Sequence, residues 1–443
     1  MGIDPLWVGI GSVGLLFALL AGGVYVGVAL GVSGVLGMMF IIGFEPALNL
    51  LYSTIFAYGS NYFFIVLPLF VAMGLFSAGA EFSKDSYDAL AKWLRGVRGG
   101  LGLATVGACT LFGVLTGSSV VTSLVFARVS SPEMIRHGYD PKIAYGLIAS
   151  AGSIGMLIPP SVLAVLYALI AELSVGKLLI GGVGAGLIMA VCLCGGLVLL
   201  LTIRPSLGPA TKGIIRATWR ERFVSLPKMW PAIVVATIGI GGVYGGVFTV
   251  VEAAGMGAFV LFLLFLVTRR FSRDAWPQLT DCLRETVSMT AMVLLILVCA
   301  QVFSRMLVLS GLAGFMTDFL INSKLTRIEF VLAATVFYII LGGFLDAFSI
   351  LAITIPVFMR VTESLGIDPI WFGVLMIAAT QIGCITPPVG ITVYAVKSSA
   401  PPEVSLGNIF LGSAPFFVAL LVAQGILIAF PFIITWLPYH INQ

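Results

Sequence analysis

Residues 138–162 read GYDPKIAYGLIASAGSIGMLIPPSV, and residues 366–390 read GIDPIWFGVLMIAATQIGCITPPVG. A shift of 228 residues lays one on the other without a gap: Gly138 falls on Gly366, Asp140-Pro141 on Asp368-Pro369, Gly155 on Gly383, and Pro159-Pro160 on Pro387-Pro388. Self-similarity at a fixed period marks a duplicated unit. The same shift carries 58–81 onto 286–309, 6–20 and 22–43 onto 234–248 and 250–271, and 100–129 onto 328–357. The chain reads as two copies of one unit, 1–203 and 229–443, joined by the basic segment 204–228.

Composition says what solvent the two copies meet. Of 443 residues 60% are apolar and 9% charged, a balance that no domain with a fully hydrated surface sustains, so most of the chain faces lipid. A spanning helix needs roughly 20 predominantly apolar residues. That criterion predicts about ten full spans, near 6–20, 22–43, 58–81, 141–171, 176–203, 229–247, 250–268, 286–309, 369–398 and 408–438. The stretches 100–129 and 328–357 carry polar or small residues at their centres, TGSS at 116–119 and GGFLDA at 342–347, which predicts re-entrant hairpins. The first residues lack a basic stretch followed by a cleavable small-residue site, so they read as a mature membrane segment.

The net charge of +4 comes from Lys and Arg gathered in 84–98, 204–228 and 269–284, which should face the cytoplasm and leave both termini in the periplasm. The pattern is an orientation signal and no nucleic-acid footprint. Each copy holds five full spans, an odd number, so the second enters the membrane from the opposite side. The predicted fold is an all-α polytopic membrane protein of two inverted-topology repeats, a construction that secondary transporters use with binding sites at the repeat interface. Loop 128–142 and its mate 356–370 carry net charges of about +1 and −1, as one loop inside and its mate outside require.

Proline inside a span removes a backbone donor and frees carbonyls one turn earlier. One Gly-x-x-x-Pro-Pro would read as a packing kink. Two at equivalent positions, each opposite a polar hairpin tip, read as unwound stretches whose carbonyls, with the hydroxyls of Ser161 and Thr386, can surround a hard cation such as Na⁺. Thr116, Gly117, Ser118 and Ser119 would close one shell, and Gly342 and Asp346 the other. The half-helix N-termini after Pro160 and Pro388 offer donors to an anion. Asp346 reads either as a functional carboxylate or as the cap of its own turn. Arg305 reads either as a clamp on a substrate carboxylate or as a snorkelling side chain, and Glu252 as a first-turn helix residue. The six cysteines form no CxxC pair and read as core residues, and with two histidines, His137 and His440, no metal constellation is present.

Several of these stretches resemble the large membrane subunit of the TRAP (tripartite ATP-independent periplasmic) transporters: GSS at 117–119, Pro132-x-Met134 followed by Gly138-Tyr139, IPPS at 158–161, GGFLD at 342–346, Gly366-x-Asp368-Pro369 and TPPVG at 386–390. They run across essentially the whole chain in the family's order. The family's prolines near Tyr25 and near 250–253 are absent here, in linker-like turns. The resemblance implies a Na⁺-driven importer of a carboxylate or sulfonate in the bacterial inner membrane, with elevator-like alternating access. It implies substrate delivery by a periplasmic binding protein and a separate small four-helix membrane subunit. It maps one cation site onto Ser118, Ser119, Gly155, Ile158 and Ser161, and the other onto Gly342, Gly383, Thr386 and Val389. No cofactor beyond the coupling ion is expected. A Na⁺/carboxylate symporter that needs no binding protein is the nearer alternative. A membrane enzyme would need converging catalytic groups that the spans do not supply, and paired hairpins would block a channel.

Overall fold

The computed structural model describes residues 4–440 apart from 61, 80–81, 95, 210–217, 243–244, 270–274, 313 and 316–325. Among the described residues every regular element is helical. Five helices are long and apolar enough to cross a bilayer: Val175–Ile203, Val250–Thr268, Ala275–Leu309, Ala347–Ser364 and Leu406–Ala429. Pro5–Ala21 and Val26–Ile42 are apolar helices of 17 residues each, about 25 Å of rise.

Each stretch expected to form a hairpin is a pair of helices with a short connection, Gly100–Thr116 with Ser119–Val129 and Arg327–Gly342 with Ala347–Ser364. Both broken helices are present too. Pro141–Ser153 passes through a short 3₁₀ turn, unwinds, and resumes as Val162–Ile170; Pro369–Gly383 unwinds and resumes as Ile391–Ser399. The shared Gly-x-Asp-Pro explains how each begins. The glycine takes a left-handed turn (φ +90° at Gly138, +61° at Gly366), the aspartate caps the first turn, and the proline fills a position that needs no donor. Asp140 Oδ1 accepts from the Lys142 N–H at 2.8 Å, and Asp368 Oδ1 from the Trp371 N–H at 2.8 Å.

Packing partners recur with the halves exchanged. Val26–Ile42 lies along Ala275–Leu309, and their equivalents Val250–Arg269 and Val66–Gly79 lie along each other. Ile391–Ser399 packs on the outer arm of the first hairpin, and Val162–Ile170 on that of the second. Leu406–Ala429 packs on Pro141–Ser153, and Val175–Ile203 on Pro369–Gly383. Small residues set these approaches, as lipid-embedded helices require. On Val26–Ile42, a Cβ at Gly34 would lie 3.0 Å from the Phe303 backbone, and one at Gly27 3.1 Å from Leu295.

Several boundaries differ from the expectation. Residues 44–57, left between spans because Glu45, Asn49 and Ser53 lower the hydropathy, form the helix Phe44–Gly59, on which those three recur every four residues along one face. The basic stretch 84–98 is largely an amphipathic helix, Phe82–Leu94, with Ser86 and Tyr87 buried and Lys84 exposed. The helix at 286–309 starts earlier, at Ala275, and at 35 residues rises about 52 Å, more than a bilayer needs, so Arg284 rides on it. Part of 204–228 is the helix Trp219–Ser225, while Lys212, Arg216, Arg270 and Arg273 lie outside the described residues. The expected span 229–247 becomes Trp230–Ala236 followed by a π turn, Thr237–Gly242, in a glycine-rich stretch. The last span ends at Ala429 before Pro431, and Phe432–His440 follows.

Candidate functional site

The two hairpin tips meet the two breaks. In the first half, a Cβ on Gly113 would stand 2.6 Å from Gly155 Cα, and one on Gly117 2.5 Å from the Pro160 carbonyl oxygen. In the second, a Cβ on Gly342 would stand 2.7 Å from Gly383 Cα, and one on Gly343 2.9 Å from the Pro387 oxygen. Only backbone without side chains allows such crossings. The second junction adds a direct bond, from the Val389 N–H to the Gly343 carbonyl at 2.9 Å.

At each junction carbonyl oxygens stand without donors. Among the described residues nothing donates to the carbonyls of Leu157, Ile158, Pro159 and Pro160, nor to those of Thr116 and Gly117 across from them. The same holds for Ile385, Thr386, Pro387 and Pro388, and for Phe344 and Leu345. Buried carbonyls rarely go without a partner, so the six oxygens around the buried first break are a poor packing solution and candidate ligands for a hard cation. Donors lie just beyond. Among the described residues the N–H groups of Ser161, Val162 and Leu163 donate to nothing, nor do those of Gly390 and Ile391. Each half-helix thus presents free N–H groups and the positive end of its dipole.

The hydroxyls divide between structure and site. Ser161 Oγ donates to the Met156 carbonyl and accepts from the Ala164 N–H at 3.1 Å, so it is the cap of Val162–Ile170 as well as a candidate ligand. Thr386 Oγ1 donates to the Gly383 carbonyl at 2.6 Å and keeps its own lone pairs. Ser118 caps Ser119–Val129, accepting from the Val121 N–H at 3.4 Å, and Ser119 is buried as that arm's first residue. Asp346 caps Ala347–Ser364: one oxygen accepts from the Ser349 N–H at 3.1 Å and the other from the Ser349 hydroxyl, which is the turn-capping reading. Ile158 packs on Gly186. Glu252 holds the Thr249 N–H at 2.8 Å in the first turn of its helix, as expected.

One position stands apart from the rest. Arg305 is half-buried and bonds to none of the described residues, and it lies twelve residues along its helix from Val293, about 18 Å. Val293 lines the narrow cavity beside the first tip, together with Thr116, Gly117, Ser118, Met156 and Phe348. The structure does not bring Arg305 to that cavity. Access also differs between the junctions: residues 151–161 are all buried, whereas Pro387, Pro388 and Val389 are exposed.

Sequence reasoning missed residues that brace the first tip and the second break. Thr122 Oγ1 lies 3.0 Å from Thr116 Oγ1 and donates to the Ser118 carbonyl at 2.7 Å, and Thr392 Oγ1 donates to the Cys384 carbonyl at 2.9 Å. Gly113, the spatial counterpart of Gly342, escaped because its partner lies one residue off the 228-residue register. Gly113 lies five residues before its cap Ser118, whereas Gly342 lies four before its cap Asp346. A hydroxyl four residues past a hairpin cap was the available signal for Thr122.

Known proteins resemble this chain. The family profile of the tripartite ATP-independent periplasmic transporter, DctM component, matches residues 13–433. The large permease protein DctM of the Pseudomonas aeruginosa C4-dicarboxylate TRAP transporter is 32% identical over 407 residues, 91% of each chain. The sialic acid TRAP transporter large permease protein SiaM of Vibrio cholerae is 28% identical over 371 residues, 84% of this chain and 85% of its own. The Alcanivorax borkumensis YdaH transporter superposes with a TM-score of 0.62 at 17% identity, over 98% of this chain and 100% of its own, a likeness of fold. Matched along nearly its whole length to that family, this multi-pass membrane protein belongs to the TRAP transporters as a large permease component of the DctM type, a transport subunit and not an enzyme.

Proposed function

We propose that the chain imports a small organic anion, a carboxylate or sulfonate, by Na⁺ symport, working by elevator-like alternating access between two inverted repeats of the bacterial inner membrane. The observation that carries this reading is the duplicated junction, in which a glycine tip meets an unwound break rimmed by carbonyls without donors. Carbonyl oxygens suit a hard monovalent cation. The exchange of packing partners between the halves supports a duplicated unit, and the odd number of spans read in each copy supports its inversion. A buried first junction beside an exposed second one supports one-sided access. The relatives named for C4-dicarboxylate and sialic acid support an organic acid as substrate.

The coupling follows from adjacency. The donor-free carbonyls of 158–160 and the free N–H groups of 161–163 are consecutive, so one short segment offers its negative ends to a cation and its positive ends to an anion. A cation held there draws the tip onto the break and attracts an anion a few ångströms away in a medium of low dielectric. Each ligand then strengthens binding of the other, which is reciprocal linkage. The organic anion's charge is met by backbone donors, with Arg305 outside the cavity. Ser161, Ser118, Ser119, Gly155 and Ile158 belong to one cation site, and Gly342, Gly383, Thr386 and Val389 to the other. Partners are a periplasmic binding protein and a small four-helix membrane subunit, and both termini of this chain face the periplasm.

The test is uptake by proteoliposomes containing the reconstituted complex and its binding protein. Uptake should require an inward Na⁺ gradient and no ATP. Undiminished uptake without the gradient refutes the reading, and full uptake without the binding protein favours a symporter that works alone.

A further inference from the structure

We infer that Gln381 recognises the transported anion, and that Met156 covers it in the conformation seen here; this rests on the transport reading above. Gln381 is fully buried, its Nε2 sits 3.6 Å from Met156 Sδ, and its Oε1 has no partner among the described residues. A thioether is a weak acceptor, so neither pole of this amide makes a strong bond, whichever way the amide is assigned. Buried amides are normally satisfied. This one is exceptional in its position as well.

Gln381 lies two residues before Gly383, where the second break begins, while Met156 follows Gly155 at the first. The side chain therefore reaches from one half of the molecule to the other. Met156 also lines the cavity beside the first tip, whose wall includes Thr116, Gly117 and Ser118 from the first half and Met289 and Phe348 from the second. Val162, one of the residues with a free N–H, lines the same cavity. An anion entering there meets backbone donors for its charge, but the cavity's side chains are mostly apolar. Methionine is unbranched and changes rotamer easily. Turned aside, Met156 would uncover the Gln381 amide, which both donates and accepts and so fits a second carboxylate, a sulfonate oxygen or a hydroxyl of the carried acid. The same movement would relieve the unsatisfied amide.

A purely structural glutamine predicts something else. Replacing an unsatisfied buried amide by an apolar side chain of similar shape is close to neutral for folding. Gln381→Leu, and Gln381→Met in case leucine's branch disturbs packing, should therefore keep the thermal midpoint of the purified permease. Uptake by the full reconstituted complex would be measured with [¹⁴C]succinate and, in parallel, [¹⁴C]isethionate. The expected result is a half-saturation concentration for the accumulated acid raised tenfold or more, with the half-saturation for Na⁺, read at saturating acid, unchanged. Gln381→Glu should abolish uptake, since a carboxylate there repels the anion. Equal substrate half-saturation in either apolar variant and the wild type overturns the inference, as does a shift confined to Na⁺, or a wild-type complex that accumulates neither probe. Wild-type uptake indifferent to Na⁺ would instead refute the transport reading on which the inference rests.

Discussion

Gly383→Ala adds one methyl at the second junction, where its Cβ would stand 2.6 Å from Gly342 Cα and 2.7 Å from the Ile339 carbonyl oxygen. Backbone cannot rotate aside, so to reach an ordinary contact near 3.4 Å the tip and the break must separate by about 0.8 Å. Metal–ligand distances tolerate only about 0.2 Å, so the proposed cation site would lose ligands from one of the two partners. The expected outcome is a rise of at least tenfold in the half-saturation concentration for Na⁺, about 1.4 kcal/mol or more, with overpacking lowering stability by a further 1–3 kcal/mol or so. The equivalent change in the first half is milder. A Cβ on Gly155 meets the Thr122 hydroxyl at 3.0 Å, a side-chain atom that can move, and Gly113 Cα at 3.4 Å. Gly155→Ala should therefore shift Na⁺ half-saturation less than threefold or so, and Gly113→Ala, 2.6 Å from Gly155 Cα, should behave like Gly383→Ala. The assay is Na⁺-dependent uptake in proteoliposomes alongside thermal unfolding of the purified protein. Gly383→Ala with normal Na⁺ dependence, or Gly155→Ala as damaging as Gly113→Ala, would refute the junction as the ion site.

Thr386→Ala should raise the Na⁺ half-saturation with little change in thermal midpoint, because the residue caps no helix; Ser161→Ala should also lose about 1 kcal/mol of stability as a helix cap, seen as a lower midpoint. Asp346→Asn keeps a capping oxygen and should leave stability and Na⁺ dependence near wild type, while Asp346→Ala should cost about 0.5–2 kcal/mol in denaturation. If the asparagine variant loses its Na⁺ response, Asp346 acts as a charge and not as a cap. Arg305→Ala should leave substrate half-saturation unchanged in uptake assays, since the residue lies about 18 Å along its helix from the cavity wall. Gly34→Leu should lower the thermal midpoint by several degrees, because a side chain there meets the Phe303 backbone at 3.0 Å.

The paired Gly-x-Asp-Pro and Pro-Pro runs were legible as sequence because each part acts locally. A left-handed glycine, a capping aspartate, a first-turn proline and a missing donor fix backbone conformation wherever they occur. Hydropathy placed the long apolar helices for the same reason, since burial in lipid is a property of the segment itself. Phe44–Gly59 was missed because its polar residues lie on one face, which an averaged window erases. What only the tertiary structure decided are relations between distant segments. Gly113 rather than Val114 meets the first break, because the hairpin tips differ by one residue and spatial closeness follows the chain's path, not its numbering. The division of labour at Asp346 and Ser161 required hydrogen-bond partners that no spacing reveals. Gln381 against Met156 joins positions 225 residues apart, a contact that exists only once the two broken helices cross.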